Sequence, residues 1–579
     1  MNRRAASLSE RIFSGREISG IAAARILKGK AARVLNFLGR SFAYSSTRSY
    51  GSFMLSFGLF SLLLHLGEYY FADEPEVALP LAIGVVLVCL SVPLLVFDRP
   101  MCIALQDFSI TDYVLFEFLA IKRMHRNVNH ITVSPLLAVF FGFIPAIVGF
   151  FLSMQWVLLA LVILIMTVVA FTTPEFPTIL MLLILPYIPF LPSDKEAIVF
   201  IALSVVTLLS FALKVAIGKR VYNFDVYDAL VLLMMLFIFI GGIAGYGDDS
   251  LKNSLFKIVL LLGYFPVANL ITNRRLADCA INAVIISAVP ITALAIIEFF
   301  VKIDSVNSQN GVSVFFDSSS VLAAFLLVSA LLTLSFFIQK KNKAKKVFYL
   351  TVFVFELFAL GLVMQPAAWL AIVLVAVAYF VLSSRKIPRD VLIWLFLLPH
   401  LLLLIPASAL DAVSNFLGAS PSFSEKLASY EKALTVLSDN LWLGVGIGAD
   451  SYGEASAGAP AIFNNMLGFA TELGIIVLAL FLITVILRLR HISYYRNYIR
   501  DSHVRVAEGS TALVLLALLV FGIDAYIFAD TTLFYLFWVT FGVCTATLRT
   551  AKKEYDERLS YYGDSRSAES SVIDVQIQK

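Results

Sequence analysis

Long apolar stretches separated by short polar breaks dominate the chain. About sixteen such runs lie near 51–72, 77–97, 133–153, 155–172, 177–192, 196–217, 228–246, 255–272, 279–301, 319–338, 347–364, 367–384, 391–407, 463–487, 510–528 and 531–548. Most approach the roughly 20 residues that a helix needs to cross a bilayer. They are too uniformly apolar for the alternating strands of a barrel, and an open strand in lipid would leave its backbone groups unpaired. The pattern therefore predicts an all-α, polytopic membrane protein with about sixteen transmembrane helices. The short runs 177–192 and 391–407 are punctuated by Pro186, Pro189 and Pro192, and by Pro399 and Pro406, so a re-entrant path is open for both.

Composition removes the soluble alternative. Of 579 residues, 60% are hydrophobic and 15% charged, with a mean hydropathy of +0.88, whereas a soluble domain has about 25% charged residues. A soluble chain of this size needs a largely polar skin, and a bilayer removes that need. The formal net charge of +4 is too small and too balanced to point to a nucleic-acid partner. Cys89, Cys102, Cys279 and Cys544 lie in or beside apolar runs without metal-ligand spacing, which predicts neither a disulfide framework nor a metal site.

Charge placement sets the expected sidedness, because basic loops stay cytoplasmic. Lys122 with Arg123 and Arg126, Lys219 with Arg220, Arg274 with Arg275, the lysines at 340–346, Arg385 with Lys386 and Arg389, and Arg488 to Arg500 recur at alternate loops. The opposite loops are acidic or neutral, above all 408–462, with six carboxylates against Lys426 and Lys432. A cell-membrane protein follows, with both termini cytoplasmic and loop 408–462 outside. Residues 1–50 hold ten basic and two acidic side chains, a basic region too long for a cleavable signal. Their interleaved Ile12, Phe13, Ile18 and Arg11, Arg16, Arg25 suit an amphipathic helix on anionic lipid, or a tail that only sets topology. Residues 549–579 read as a Ser-rich cytoplasmic tail.

Loop 408–462 carries the chemistry-bearing pattern. Leu427, Tyr430, Leu434 and Leu437 form the stripe of an amphipathic helix, with Ser422 and Glu425 at capping-box spacing. Gly444, Gly446 and Gly448 then alternate with apolar residues, allowing close backbone approach to a phosphate or to a neighbouring helix. The next span opens with Asn464 and Asn465 and carries Glu472. Lys426 is the candidate cation, against a solvated lysine paired with Glu425 or Tyr430. Asp450 is the candidate base, against a turn cap. Glu472 and Glu298 are carboxylates within spans, lining a cavity or bonding a neighbouring helix. Tyr430 and Lys257 complete the candidate substrate contacts. Asp524 and Asp530 bracket the last outer turn, Asp530 as a helix cap.

An amphipathic helix, a Gly-x-Gly-x-Gly loop and a span opening with Asn and reaching Glu-Leu-Gly at 472–474 resemble the O-antigen ligase and polymerase family of bacterial membrane glycosyltransferases. GVSVFFDSSS at 311–320 and MQPAAWLAIVLVA at 364–376 are similar to two further family segments in the same order. The resemblance implies a ligase-like domain over 173–548, with 51–172 as extra N-terminal helices. It implies transfer of a glycan from an undecaprenyl-diphosphate carrier to an acceptor in surface polysaccharide assembly, without metal, nucleotide sugar or other cofactor. The implied partners are membrane lipid, a lipid-linked oligosaccharide and other polysaccharide-assembly proteins. The family's arginines correspond to Pro366 and Lys426, its histidine to Phe463, and its Asn-Pro-Asn to Asp317, Ser318 and Ser319. These departures fall on the chemistry and keep two alternatives in play. One is a non-catalytic assembly component. The other is a transporter or flippase, if Glu298, Glu472, Lys214 and Asp524 converge on a midplane cavity.

Overall fold

The structure, a computed structural model, describes residues 41–71, 78–121, 123, 135–191, 193–216, 222–245, 249–271, 274–301, 312–316, 318–383, 423–448, 463–495, 502–549 and 552. The run 391–407, most of both tails, Asp317, Ser422 and Asp450 lie outside these residues.

Among the described residues the chain is helical throughout, with one isolated bridge between Ser46 and Pro100 and no strand. Eleven helices among the described residues are long and apolar enough to cross a membrane. Leu136–Leu152, Glu175–Phe190 and Pro366–Val381 are apolar but shorter. Ser502–Phe521 is a further helix, with Glu508 buried near its start. The polytopic all-α expectation therefore stands, although the expected run 510–528 is helical only to Phe521 and continues as a turn.

Local sequence explains the irregular elements. The 177–192 run is an α-helix, Glu175–Ile184, that tightens into a 3₁₀ turn, Leu185–Phe190, where Pro186 and Pro189 supply no backbone N–H. The 255–272 run is carried by Ser250–Leu262 and Tyr264–Leu270, joined at Gly263, which keeps helical dihedrals and lets the Tyr535 ring approach where a side chain would stand. Asp225 and Asp228 form a capping box at Val226–Ala244, and Ser318 and Asn342 cap the next helices they precede.

The chain forms two compact units: Met1–Ile179 with Leu209–Val221, and Leu180–Leu208 with Tyr222–Lys579. In the first, Phe57, Ala146, Met154 and Val157 form a buried cluster, and the Ser56 hydroxyl donates to Val139 O at 2.7 Å. In the second, Thr531–Arg549 is the most enclosed span, with 94% of its apolar window buried. Phe534, Phe537, Trp538 and Phe541 project from it onto Phe481, Phe528, Tyr227 and Tyr264. Lipid is as apolar as these rings, so close packing, more than expulsion from water, holds this centre together.

Candidate functional site

Two polar centres lie at opposite ends of the second unit. Val226–Ala244 separates them by 19 residues, about 28 Å at 1.5 Å per residue. Near its first turn, Arg549 pairs with the fully buried Asp228 at 2.7 Å and donates to Ala268 O and Asn269 Oδ1. Tyr264 donates to the other Asp228 oxygen at 2.9 Å. Close by, Tyr227 meets His491 Nδ1 at 2.7 Å. Arg488, also fully buried, donates to the Cys544 sulfur at 3.0 Å and lies 3.8 Å from Glu508. Arg488 is thus a residue of the bundle interior, although its sequence position reads as a topology-setting loop charge.

The other end gathers most of the candidate site residues around the 522–530 turn. Asn464 caps its helix by accepting from Met466 N and Leu467 N, and its Nδ2 donates to Ile523 O at 3.1 Å. Asn465 donates its backbone N–H to Gly522 O at 2.6 Å and accepts from Phe528 N at 3.1 Å, while its Nδ2 is buried and unpaired. The helix Phe423–Asp439 docks on the same turn. Lys426 Nζ pairs with Asp524 Oδ1 at 2.5 Å and faces the Phe463 ring at 5.9 Å. The Tyr430 hydroxyl reaches Phe463 O at 3.3 Å and Ile523 O at 3.4 Å. Burial first, and the Asp524 carboxylate second, push the Tyr430 phenol above the usual tyrosine range, so it remains a donor.

Lys257 arrives from Ser250–Leu262. Its Nζ donates to Phe528 O at 2.6 Å and Ala529 O at 3.2 Å, and sits 4.5 Å from the Phe534 ring centre. It also acts electrostatically on Glu472, whose Oε2 accepts from the Tyr526 hydroxyl at 2.5 Å. Lys252 stays at the surface beside Asp249, 3.6 Å away. Two ammonium groups therefore reach one turn, Lys426 on the Asp524 carboxylate and Lys257 on the carbonyls of Phe528 and Ala529.

The glycines lock this end to the helix that follows. Asn465–Tyr495 breaks at Gly474, where φ is 83°, and the carbonyls of Thr471 and Glu472 leave the helical ladder. Val445 N donates to Thr471 O at 2.9 Å and Gly446 N to Glu472 O at 3.1 Å, while Gly444 N goes to Asn440 O. Of the two expected partners for the loop, a phosphate or a neighbouring helix, the amides at 444–446 have taken helix and turn carbonyls. Gly448 has positive φ like Gly444 and Gly446.

Glu298 lies apart from this cluster, accepting the Val314 amide at 2.6 Å and fixing the loop before Ser319–Gln339. Lys214 belongs to the first unit and donates to Thr172 O at 3.0 Å. Asp530 caps the last helix by accepting from Leu533 N at 2.8 Å. Gln365, beside Pro366, bonds Ser319 Oγ at 2.9 Å. Tyr526 was invisible as a candidate, because an isolated tyrosine in an apolar turn carries no spacing signal. Among the described residues no three His, Cys, Asp or Glu side chains gather as metal ligands. No known family model matches the chain, and no curated protein matches it.

Proposed function

We propose that the chain is a membrane protein of the O-antigen ligase and polymerase type that engages a polyprenyl-diphosphate-linked glycan at the 522–530 turn. In this reading it has sixteen spans, cytoplasmic termini and loop 408–462 outside. The supporting observation is that Lys426 and Lys257, drawn from helices far apart in sequence, reach the same turn beside Asn464 and Glu472. A departing diphosphate needs cations, and an acceptor hydroxyl needs a base. The two lysines would hold the diphosphate. Glu472 or Asp450 would take the acceptor proton as the oxygen attacks the anomeric carbon and the carrier diphosphate leaves with the bonding electrons.

A second reading is supported by the same turn: retention of a lipid-linked glycan without transfer. Lys426 is already paired with Asp524, and Pro366 and Phe463 stand where the resembled family has arginine and histidine. Loss of the gene, followed by analysis of surface glycan and carrier-linked intermediates, tests the proposal. Accumulation of carrier-linked oligosaccharide supports transfer or polymerisation, and an unchanged glycan profile rejects it. Purified protein that retains labelled donor without turnover selects the second reading.

A further inference from the structure

The segment between Ala78–Val96 and Pro135–Leu152 is unlike a simple connecting loop. Met101–Asp107, Ser109–Thr111 and a π-helical turn, Asp112–Phe118, follow one another closely. The breaks are held locally: Thr111 Oγ1 donates to Phe108 O at 3.0 Å, Leu119 N to Val114 O and Ile121 N to Leu115 O. Cys102, Phe116 and Phe118 turn inward and are buried. Phe108, Ile110, Tyr113 and Val114 turn outward, at 59%, 64%, 49% and 40% exposure. The acidic side chains between them are met by arginines, Asp107 by Arg99 at 3.3 Å and Asp112 and Glu117 by Arg123 at 2.7 and 3.4 Å. The result is a charge-compensated element with an apolar outer face.

Its depth is set by its attachment. Thr47 N donates to Arg99 O at 2.8 Å and Met101 N to Ser45 O at 2.9 Å, around the Ser46–Pro100 bridge. These bonds join the end of one membrane-crossing helix, Ala78–Val96, to the beginning of another, Thr47–Tyr70. The segment therefore departs from the level where two antiparallel spans meet the membrane surface. Pro135–Leu152 runs parallel to the first span, through Ser56 with Val139, Phe60 with Phe143 and His65 with Phe150, so it too starts on that side. An element anchored at its start to that surface, with compensated charges and an exposed aromatic and aliphatic face, matches the headgroup–acyl boundary of a phospholipid leaflet. Aqueous exposure of four neighbouring large apolar side chains would be costly.

We infer that residues 101–118 lie in the membrane interface on the side where Thr47–Tyr70 begins, with Phe108, Ile110, Tyr113 and Val114 inserted among phospholipid glycerol and upper acyl groups. This adds a lipid-binding surface to the first unit and does not depend on the proposed glycan chemistry.

Spin labels test it in the full chain reconstituted in phosphatidylcholine–phosphatidylglycerol nanodiscs. Labels are placed through Phe108→Cys, Ile110→Cys or Tyr113→Cys, with Glu117→Cys as the polar control. Exposed Cys89 is replaced by Ser, while Cys102, Cys279 and Cys544, being buried, remain. Collisions with oxygen should exceed those with a water-soluble nickel chelate at the first three sites, placing them about 5–10 Å below the headgroups, and the order should reverse at 117. Chelate-dominated relaxation at 108 and 110 would overturn the inference, as would exclusion of both reagents, which would mean a protein cover. The unmodified chain gives a second readout, in nanodiscs containing a phospholipid with a diazirine near the glycerol end. Label should appear on the 108–114 peptide. Label confined to the spans rejects the proposal.

Discussion

Lys426 and Asp524 differ in exposure, 10% against 40% for their side chains, so the lysine is the fixed member of the pair and the carboxylate the one free to turn into water. Such a part-exposed pair adds about 1 kcal/mol or less to stability. Its consequence is for binding. Under the proposed function, Lys426→Gln should weaken binding of a short polyprenyl diphosphate at least about tenfold, the scale of one hydrogen bond to a charged group. Asp524→Asn should strengthen it by releasing the ammonium. Calorimetric titration of detergent-solubilised protein with farnesyl diphosphate checks both, and equal affinities for the two variants would separate Lys426 from the substrate. Tyr526 is different in kind, since its hydroxyl donates to a carboxylate in the bundle interior. Tyr526→Phe leaves a buried acceptor short of a donor and should cost roughly 1–3 kcal/mol, read as a lowered thermal midpoint in detergent. Lys426 stands out in the sequence as the outer loop's best-placed cation, Asn464 as an amide opening an apolar run, and Glu472 as a carboxylate within a span. Nothing in the sequence chooses Asp524 over Glu425 as the partner of Lys426, because that choice depends on how two helices cross.

At the level of elements, the break in Asn465–Tyr495 organises the site more than any single charge does. Gly474 holds a positive φ, and a Cβ there would fall on the Trp442 carbonyl. Gly474→Ala should therefore destabilise the protein by roughly 1–3 kcal/mol from the backbone alone, with further loss from the clash. Gly67 provides the contrast. It is an ordinary helical glycine with nothing near its absent Cβ, so Gly67→Ala should stabilise by about 0.5–1 kcal/mol. Thermal unfolding of the two variants side by side checks the sign of each. At the opposite end, Arg549 closes Thr531–Arg549 onto Asp228 and the carbonyl of Ala268. Arg549→Ala leaves that carboxylate without its cation and should cost about 3–5 kcal/mol in the same assay. The helices themselves were readable from apolar run length. The break at Gly474 was not, because Glu-Leu-Gly inside a long apolar run looks like uninterrupted helix until the 440–448 segment is packed against it.

For the whole molecule, alternating loop charge makes a testable statement about topology. A cytoplasm-dependent fluorescent reporter fused after residue 579 should be bright, and a phosphatase that works only outside should be active when inserted within 449–462; the reverse pattern would invert the sidedness. Membrane residence and the order of helices were determined by sequence alone, because both depend on local composition: an apolar run of sufficient length prefers lipid whatever its neighbours are. The meeting of Lys257, Lys426, Glu472 and Asp524 on one turn was decided only by tertiary structure. So was the engagement of the glycine-loop amides by backbone carbonyls, and so were the burial of Arg488 inside the bundle and the pairing of Arg549 with buried Asp228. These groups are separated by tens to hundreds of residues, and short-range electrostatics and hydrogen bonding act only after helix packing has brought them within a few ångströms of one another.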